Sequence, residues 1–145
     1  MKRFRFRLES VLKWRALQLK LEEAKLQDLF AELRALGARR EALATGKADS
    51  ERAVLALAVI EAQQLEALDA HRRWVTAERE RLARQEADCA ARIASQREQV
   101  RKAEQNLRLL EKVKERRLAE WSRALDKEYE VLAAEGFLAR WQRGD

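Results

Sequence analysis

The chain holds one histidine, His71, and one cysteine, Cys89, so an imidazole-activated thiol would have to be built from these two. On a shared helix they would stand about 27 Å apart, at ~1.5 Å of rise per residue, far beyond the hydrogen-bond reach that such activation needs. Asp and Glu are plentiful, 25 together. Two of them could serve as acid and base only in a concave, water-poor site that drives their pKa values apart. Spread along helices, they are expected instead to be solvated partners for Lys or Arg one turn away. No His, Cys or carboxylate cluster has the spacing of a metal site, and four scattered glycines make no phosphate-cradling loop. The chain is therefore expected not to be an enzyme, to need no metal or cofactor, and to work by touching other molecules.

Residues suited to such contacts gather near the beginning. Placed at about 100° per residue, Leu8, Leu12, Leu19 and Leu26 share one face of a first helix, while Trp14, Leu17 and Leu21 fall roughly opposite. One partner helix cannot cover both faces. The second stripe is expected to meet something else, either a different protein or a second copy of this chain. Lys2, Arg3, Arg5, Arg7, Lys13, Arg15 and Lys20 surround it, and Glu9 is the one acid among the first twenty residues.

The elements that carry these residues follow from periodicity. From Leu68 to Leu132, apolar or tolerable residues recur every three and then four positions: Leu68, Arg72, Val75, Arg79, Leu82, Glu86, Cys89, Ile93, Gln96, Val100, Ala103, Leu107, Leu110, Lys114, Leu118, Trp121, Leu125, Tyr129 and Leu132 lie along one seam. This is the pattern of a coiled coil, and no proline or glycine interrupts it. At ~1.5 Å per residue the stretch would make a helix roughly 100 Å long. The first helix has the same spacing through Leu8, Leu12, Arg15, Leu19, Glu22, Leu26, Leu29, Leu33, Leu36, Arg40 and Leu43. Two amphipathic helices of similar pitch are most simply paired with each other. The expected fold is all-α, a long antiparallel two-helix coiled coil forming a single hairpin over residues 1–145.

Its parts are expected to be a helix over about 4–45, a middle segment over about 49–61 and a long helix over about 65–140. Gly46 followed by Asp49 and Ser50 reads as a C-cap and then two N-cap residues, which predicts a break at 46–49. A full reversal there would pair Leu8 with about Glu86 and leave the later seam uncovered, whereas a reversal at 62–72 pairs Leu8 with about Leu132. Val54, Leu55, Leu57, Val59 and Ile60 are apolar on several faces, so the middle segment either caps the hairpin or offers a sticky tip.

The totals agree with an extended helical protein. In 145 residues there is no proline, 39% of side chains are charged, and mean hydropathy is −0.60, too little apolar content for a thick globular core. The net charge of +6 suits a nucleic acid, an anionic membrane surface or an acidic protein groove alike. A lone cysteine in the seam fits a reducing compartment, and the default expectation is cytoplasmic. Lys13, Arg15 and Lys20 interrupt any signal-peptide hydrophobic region, so no leader is expected. The longest uncharged run, Ala53 to Ile60, is far short of the roughly 20 residues that span a bilayer.

In the antiparallel hairpin, the basic beginning lies beside roughly Leu110 to Leu132, which adds Lys112, Lys114, Arg116, Arg117 and Arg123 to a basic pole with exposed aromatics. The opening Phe4-Arg5-Phe6-Arg7-Leu8-Glu9-Ser10-Val11-Leu12-Lys13-Trp14-Arg15 resembles the FliJ family of bacterial flagellar export proteins. So does the later Leu110-Glu111-Lys112-Val113-Lys114-Glu115-Arg116-Arg117-Leu118-Ala119-Glu120-Trp121, and length and helical hairpin design are similar as well. The resemblance implies a stalk that enters the central hole of a hexameric export ATPase (FliI-like), contacts the export gate protein (FlhA-like) and in some members handles export chaperones. Carried onto this chain, it places Arg3, Phe4, Arg5, Arg7, Trp14, Leu17, Leu21, Arg116, Arg117 and Trp121 against the ATPase ring. Leu36, Leu43, Leu57, Ile60, Leu65 and Trp74 stand in for the family's gate-facing aromatics. The protein would then be cytoplasmic and peripheral to the inner-membrane export apparatus through its partners, with no nucleic acid bound. The stalk of a virulence-type secretion system has the same shape and is the near alternative. A basic hairpin binding nucleic acid, or a membrane-surface helix over residues 1–21, belongs to other classes.

Overall fold

The computed structural model describes residues 2–144. They form two helices, α1 over Glu9–Leu55 and α2 over Ala62–Gln142, with no strand among the described residues. The protein is all-helical, and the two helices pack against each other. α1 opens where the Glu9 amide donates to the Phe6 carbonyl at 3.2 Å and the Leu12 amide to the Leu8 carbonyl at 2.8 Å. The Glu9 carboxylate in this first turn suits the positive end of the helix dipole. α1 ends with the Leu57 amide donating to the Val54 carbonyl at 3.2 Å. α2 opens with the Glu61 amide donating to the Gln64 side-chain oxygen at 3.0 Å. That is the returning half of a capping box, in which the third helical residue satisfies a backbone donor left free at the helix start.

The chain divides into two compact units, Met1–Lys20 with Arg101–Asp145, and Leu21–Val100. In the second, Leu36, Leu82, Cys89 and Ile93 form the core cluster, and Leu26, Leu29, Phe30, Leu33 and Leu43 pack against it. Leu68 and Val75 are also buried. Apart from Phe30, which the sequence reading leaves off the seam, these are the seam positions read from sequence. Polar contacts line the seam: Gln96 donates to the Glu22 carbonyl at 3.0 Å, Arg92 pairs with Glu32 at 3.2 Å, Arg40 with Glu86 at 3.1 Å and Arg72 with Glu51 at 3.0 Å. Partner numbers on α2 fall as those on α1 rise. Exposed pairs of this kind contribute about 0–1 kcal/mol each, so burial of the seam supplies most of the stability while the pairs discriminate against slipped registers.

In the first unit, Lys114 meets Glu9 at 2.9 Å, and the Phe4 and Trp121 rings lie 5.9 Å apart at 54°. Leu12, Leu19, Leu107, Leu110, Val113 and Trp121 are half-buried, and none of its described residues is fully buried.

Two expectations change here. α1 runs through Gly46, Asp49 and Ser50 to Leu55 without a break, so no separate helix occupies 49–61 and the helix break falls at 56–61. Gly46 does not take the positive φ that a C-cap glycine uses. A helical glycine costs roughly 1 kcal/mol relative to alanine. Lys47, Ser50 and Val54 continue the half-buried stripe after Leu43, and their packing with the Glu51–Arg72 pair outweighs that cost. The register also shifts: Glu9 lies beside Lys114, so Leu8 is not opposite Leu132. The expected register assumed that every apolar position on the second helix needs an α1 partner, and Leu132 is instead 59% exposed.

Candidate partner-binding surfaces

At the beginning of α1 the helix turns Leu12 and Leu19 toward α2, and the same periodicity turns Val11, Trp14 and Leu17 outward. Trp14 is 50% exposed and Leu17 53%. The Arg15 guanidinium lies 4.9 Å from the Trp14 ring centroid, a cation–π contact that keeps a positive charge beside the indole. Arg3, Arg5 and Arg7 are exposed in the segment before α1. Arg3, Phe4, Arg5, Phe6, Glu9 and Lys114 line a cavity of about 450 Å³. On α2, Arg116 is exposed, Arg117 is 3.9 Å from Glu120, and half-buried Trp121 packs on Phe4.

Nine of the ten residues expected at the ATPase ring therefore fall in one unit. Leu21, the tenth, is exposed but begins the other unit. Phe4 and Trp121 use part of their surface on each other, and the exposed apolar groups around them are Val11, Trp14 and Leu17 together with Leu8 and Leu118, two seam positions that the opposite helix does not cover.

The six residues expected at the export gate all lie in the unit Leu21–Val100 but in three kinds of setting. Leu36 is a core residue at 6% exposure, packed in the cluster with Leu82, Cys89 and Ile93, which corrects its assignment to a contact surface. Leu43 is half-buried against the same cluster. Leu57, Ile60, Leu65 and Trp74 are exposed. Leu55 and Val59, from the segment that is apolar on several faces, are more than 70% exposed and belong with them. Trp74 stacks on His71 at 5.9 Å beside a groove of about 430 Å³ that Leu43, Gly46 and Leu82 also line. The His71 Nε2 is buried there without a hydrogen-bond partner.

The late part of α2 carries a further apolar surface: Tyr129, Val131, Leu132, Phe137, Leu138 and Trp141 are all exposed. Sequence reading had put Tyr129 and Leu132 under the first helix. Their seam spacing was the visible signal, and only the register decides whether such a stripe is covered.

The Glu22 carboxyl is held below its ordinary value, chiefly because Gln96 donates to it, with burial opposing and Lys25 assisting. Arg81 is held above its ordinary value by Glu78. Among the described residues, no group of three or more His, Cys, Asp or Glu is placed to hold a metal ion. No described helix is long and apolar enough to cross a membrane. Compared with models of known families, with curated proteins and with solved structures, the chain matches none.

Proposed function

We propose that the protein is a non-enzymatic stalk of the flagellar export apparatus, an antiparallel coiled coil that inserts one end into a hexameric export ATPase and engages the export gate with residues around its helix break. One observation carries the reading: exposed Trp14 and Leu17, ringed by basic residues, lie on α1 opposite the face packed against α2. Such a face needs a partner, and its chemistry fits a channel lined by apolar and acidic groups. The sequence resemblance names that channel as the centre of the ATPase ring. The exposed Leu55, Leu57, Val59, Ile60, Leu65 and Trp74 are the corresponding candidates for the gate, and export chaperones are candidate partners of the same protein.

In this reading the protein acts without a reacting group. A helical end that presents different residues to each of six ring subunits favours one ring state over others, because only differential contacts shift such an equilibrium. Titrating the same organism's flagellar export ATPase with this protein should raise its ATP hydrolysis rate, and Trp14→Ala with Leu17→Ala should remove the increase while circular dichroism stays that of the parent. An active ATPase that neither binds the protein nor responds to it would end this reading. Stimulation of a virulence-type secretion ATPase in its place would transfer the same mechanism to that system.

A further inference from the structure

The Glu9–Lys114 and Phe4–Trp121 contacts fix how far the beginning of the chain reaches along α2. Lys2 lines a cavity with Trp121, Ala124, Leu125 and Glu128. Beyond that point Tyr129 is 49% exposed and Leu132 59%. These two side chains stand in a strip, Glu128-Tyr129-Glu130-Val131-Leu132-Ala133-Ala134-Glu135, that has three acids and no base. On α1 the strip Lys13-Trp14-Arg15-Ala16-Leu17-Gln18-Leu19-Lys20 has three bases and no acid. The spacing is the same in both. Leu17 has Lys13 four residues before it, Trp14 three before and Lys20 three after; Leu132 has Glu128, Tyr129 and Glu135 at the same offsets. At about 100° per residue the two charges flank one side of the leucine and the aromatic ring flanks the other.

We propose that these strips bind each other between copies of the chain, the acidic strip of one copy lying antiparallel on the basic strip of a second. Leu132 then meets Leu17, Glu128 and Glu135 meet Lys20 and Lys13, and Tyr129 and Trp14 lie on the other side of the leucine pair, about 9 Å apart along the helices, each covering apolar surface of the facing strip. Antiparallel alignment is required, because only then do the charged sides of the two strips face each other. Pairing within one chain is out of reach: Leu132 lies some 27 Å along α2 beyond Lys114, at ~1.5 Å per residue, while Leu17 lies on the other side of Glu9. The contact joins two different surfaces, so a pair retains one strip of each kind, basic on one copy and acidic on the other, for further copies. This association does not rest on the stalk reading. Where both hold, a second copy covers Trp14 and Leu17 and withholds them from the ATPase ring.

Sedimentation velocity of the full chain across a wide concentration range tests it without any other protein. The weight-average sedimentation coefficient should rise with concentration, and less so in 1 M salt, where the screening length is about 3 Å. Trp14→Ala/Leu17→Ala, lacking the basic strip's apolar groups, and Tyr129→Ala/Leu132→Ala, lacking the acidic strip's, should each stay monomeric. Mixed together they should form a 1:1 pair and stop, since one intact strip of each kind remains. Charge variants provide the control for altered folding. Lys13→Glu/Lys20→Glu and Glu128→Lys/Glu135→Lys should each weaken association about tenfold or more, and all four changes in one chain should restore it. A wild-type chain that is monomeric throughout, or apolar variants that still associate alone, would overturn the proposal, as would failure of the fourfold charge swap to recover binding.

Discussion

Val75 and Cys89, each 1% exposed, are the most enclosed side chains, and Leu82 at 3% sits between them in sequence on the same seam. Truncating Leu82 to alanine leaves a void between two helices that cannot close without separating elsewhere. The expected loss is about 2–5 kcal/mol in urea denaturation. A loss under about 1 kcal/mol would mean that the seam is not packed. Trp14→Ala should change stability by no more than about 0.5–1 kcal/mol, because half of the side chain already faces solvent. Glu22 permits a pH prediction with a definite sign. Its folded-state pKa lies below the ordinary value of 4.5, so its contribution is present above that value and is lost as pH falls through the folded pKa. Stability should therefore decline less steeply below about pH 4.5 in Glu22→Gln than in the parent. At this scale the sequence was informative where a residue's role follows from its own helix. Cys89 read as a small apolar seam group and is one. Leu36 read both as seam and as contact surface, and the core claims it, since an apolar side chain on the packed face is not offered to a partner.

Both long helices were legible because apolar spacing of three and four residues persists over many turns, while the position of the break was not. Gly46, Asp49 and Ser50 are the strongest local stop signals in the chain, yet α1 passes through them. Local propensity near 1 kcal/mol per residue is small beside the burial of a continued stripe. Gly46→Ala separates the two possibilities. With a helical Gly46, and open space where a Cβ would go, the substitution should stabilise the protein by about 1 kcal/mol. Destabilisation in thermal or urea unfolding would mean that the backbone at 46 needs a conformation alanine resists. The observed break has its own sequence signal in Gln64, three residues after Glu61, but the five apolar residues from Ala56 to Ile60 masked it.

For the molecule as a whole, stability is divided unevenly, and the division bears on function. Among the described residues, the six buried hydrophobic ones, Leu36, Leu68, Val75, Leu82, Cys89 and Ile93, all belong to the unit Leu21–Val100. In the other unit the described contacts between the helices and the opening segment include half-buried leucines, the Lys114–Glu9 ion pair and the Phe4–Trp121 rings, with no described residue fully buried. The sequence could not reveal this asymmetry, because Leu, Ile and Cys at seam positions look alike whether the opposite helix packs closely or loosely over them. The resemblance to the export stalk draws on residues of the looser unit, where Trp14 and Leu17 are exposed. Amide hydrogen exchange of the full chain should reflect the difference. Residues 26–43 and 68–93 should exchange only through global unfolding, while 9–19 and 103–142 should exchange faster, through local opening that spares the core. Binding at Trp14 and Leu17, by a second copy or by the ATPase ring, should slow exchange in residues 9–19 and leave the core segments unchanged. Uniform protection along both helices in the free protein would refute the uneven division, and binding that slowed only the core would place the contact away from this end of α1.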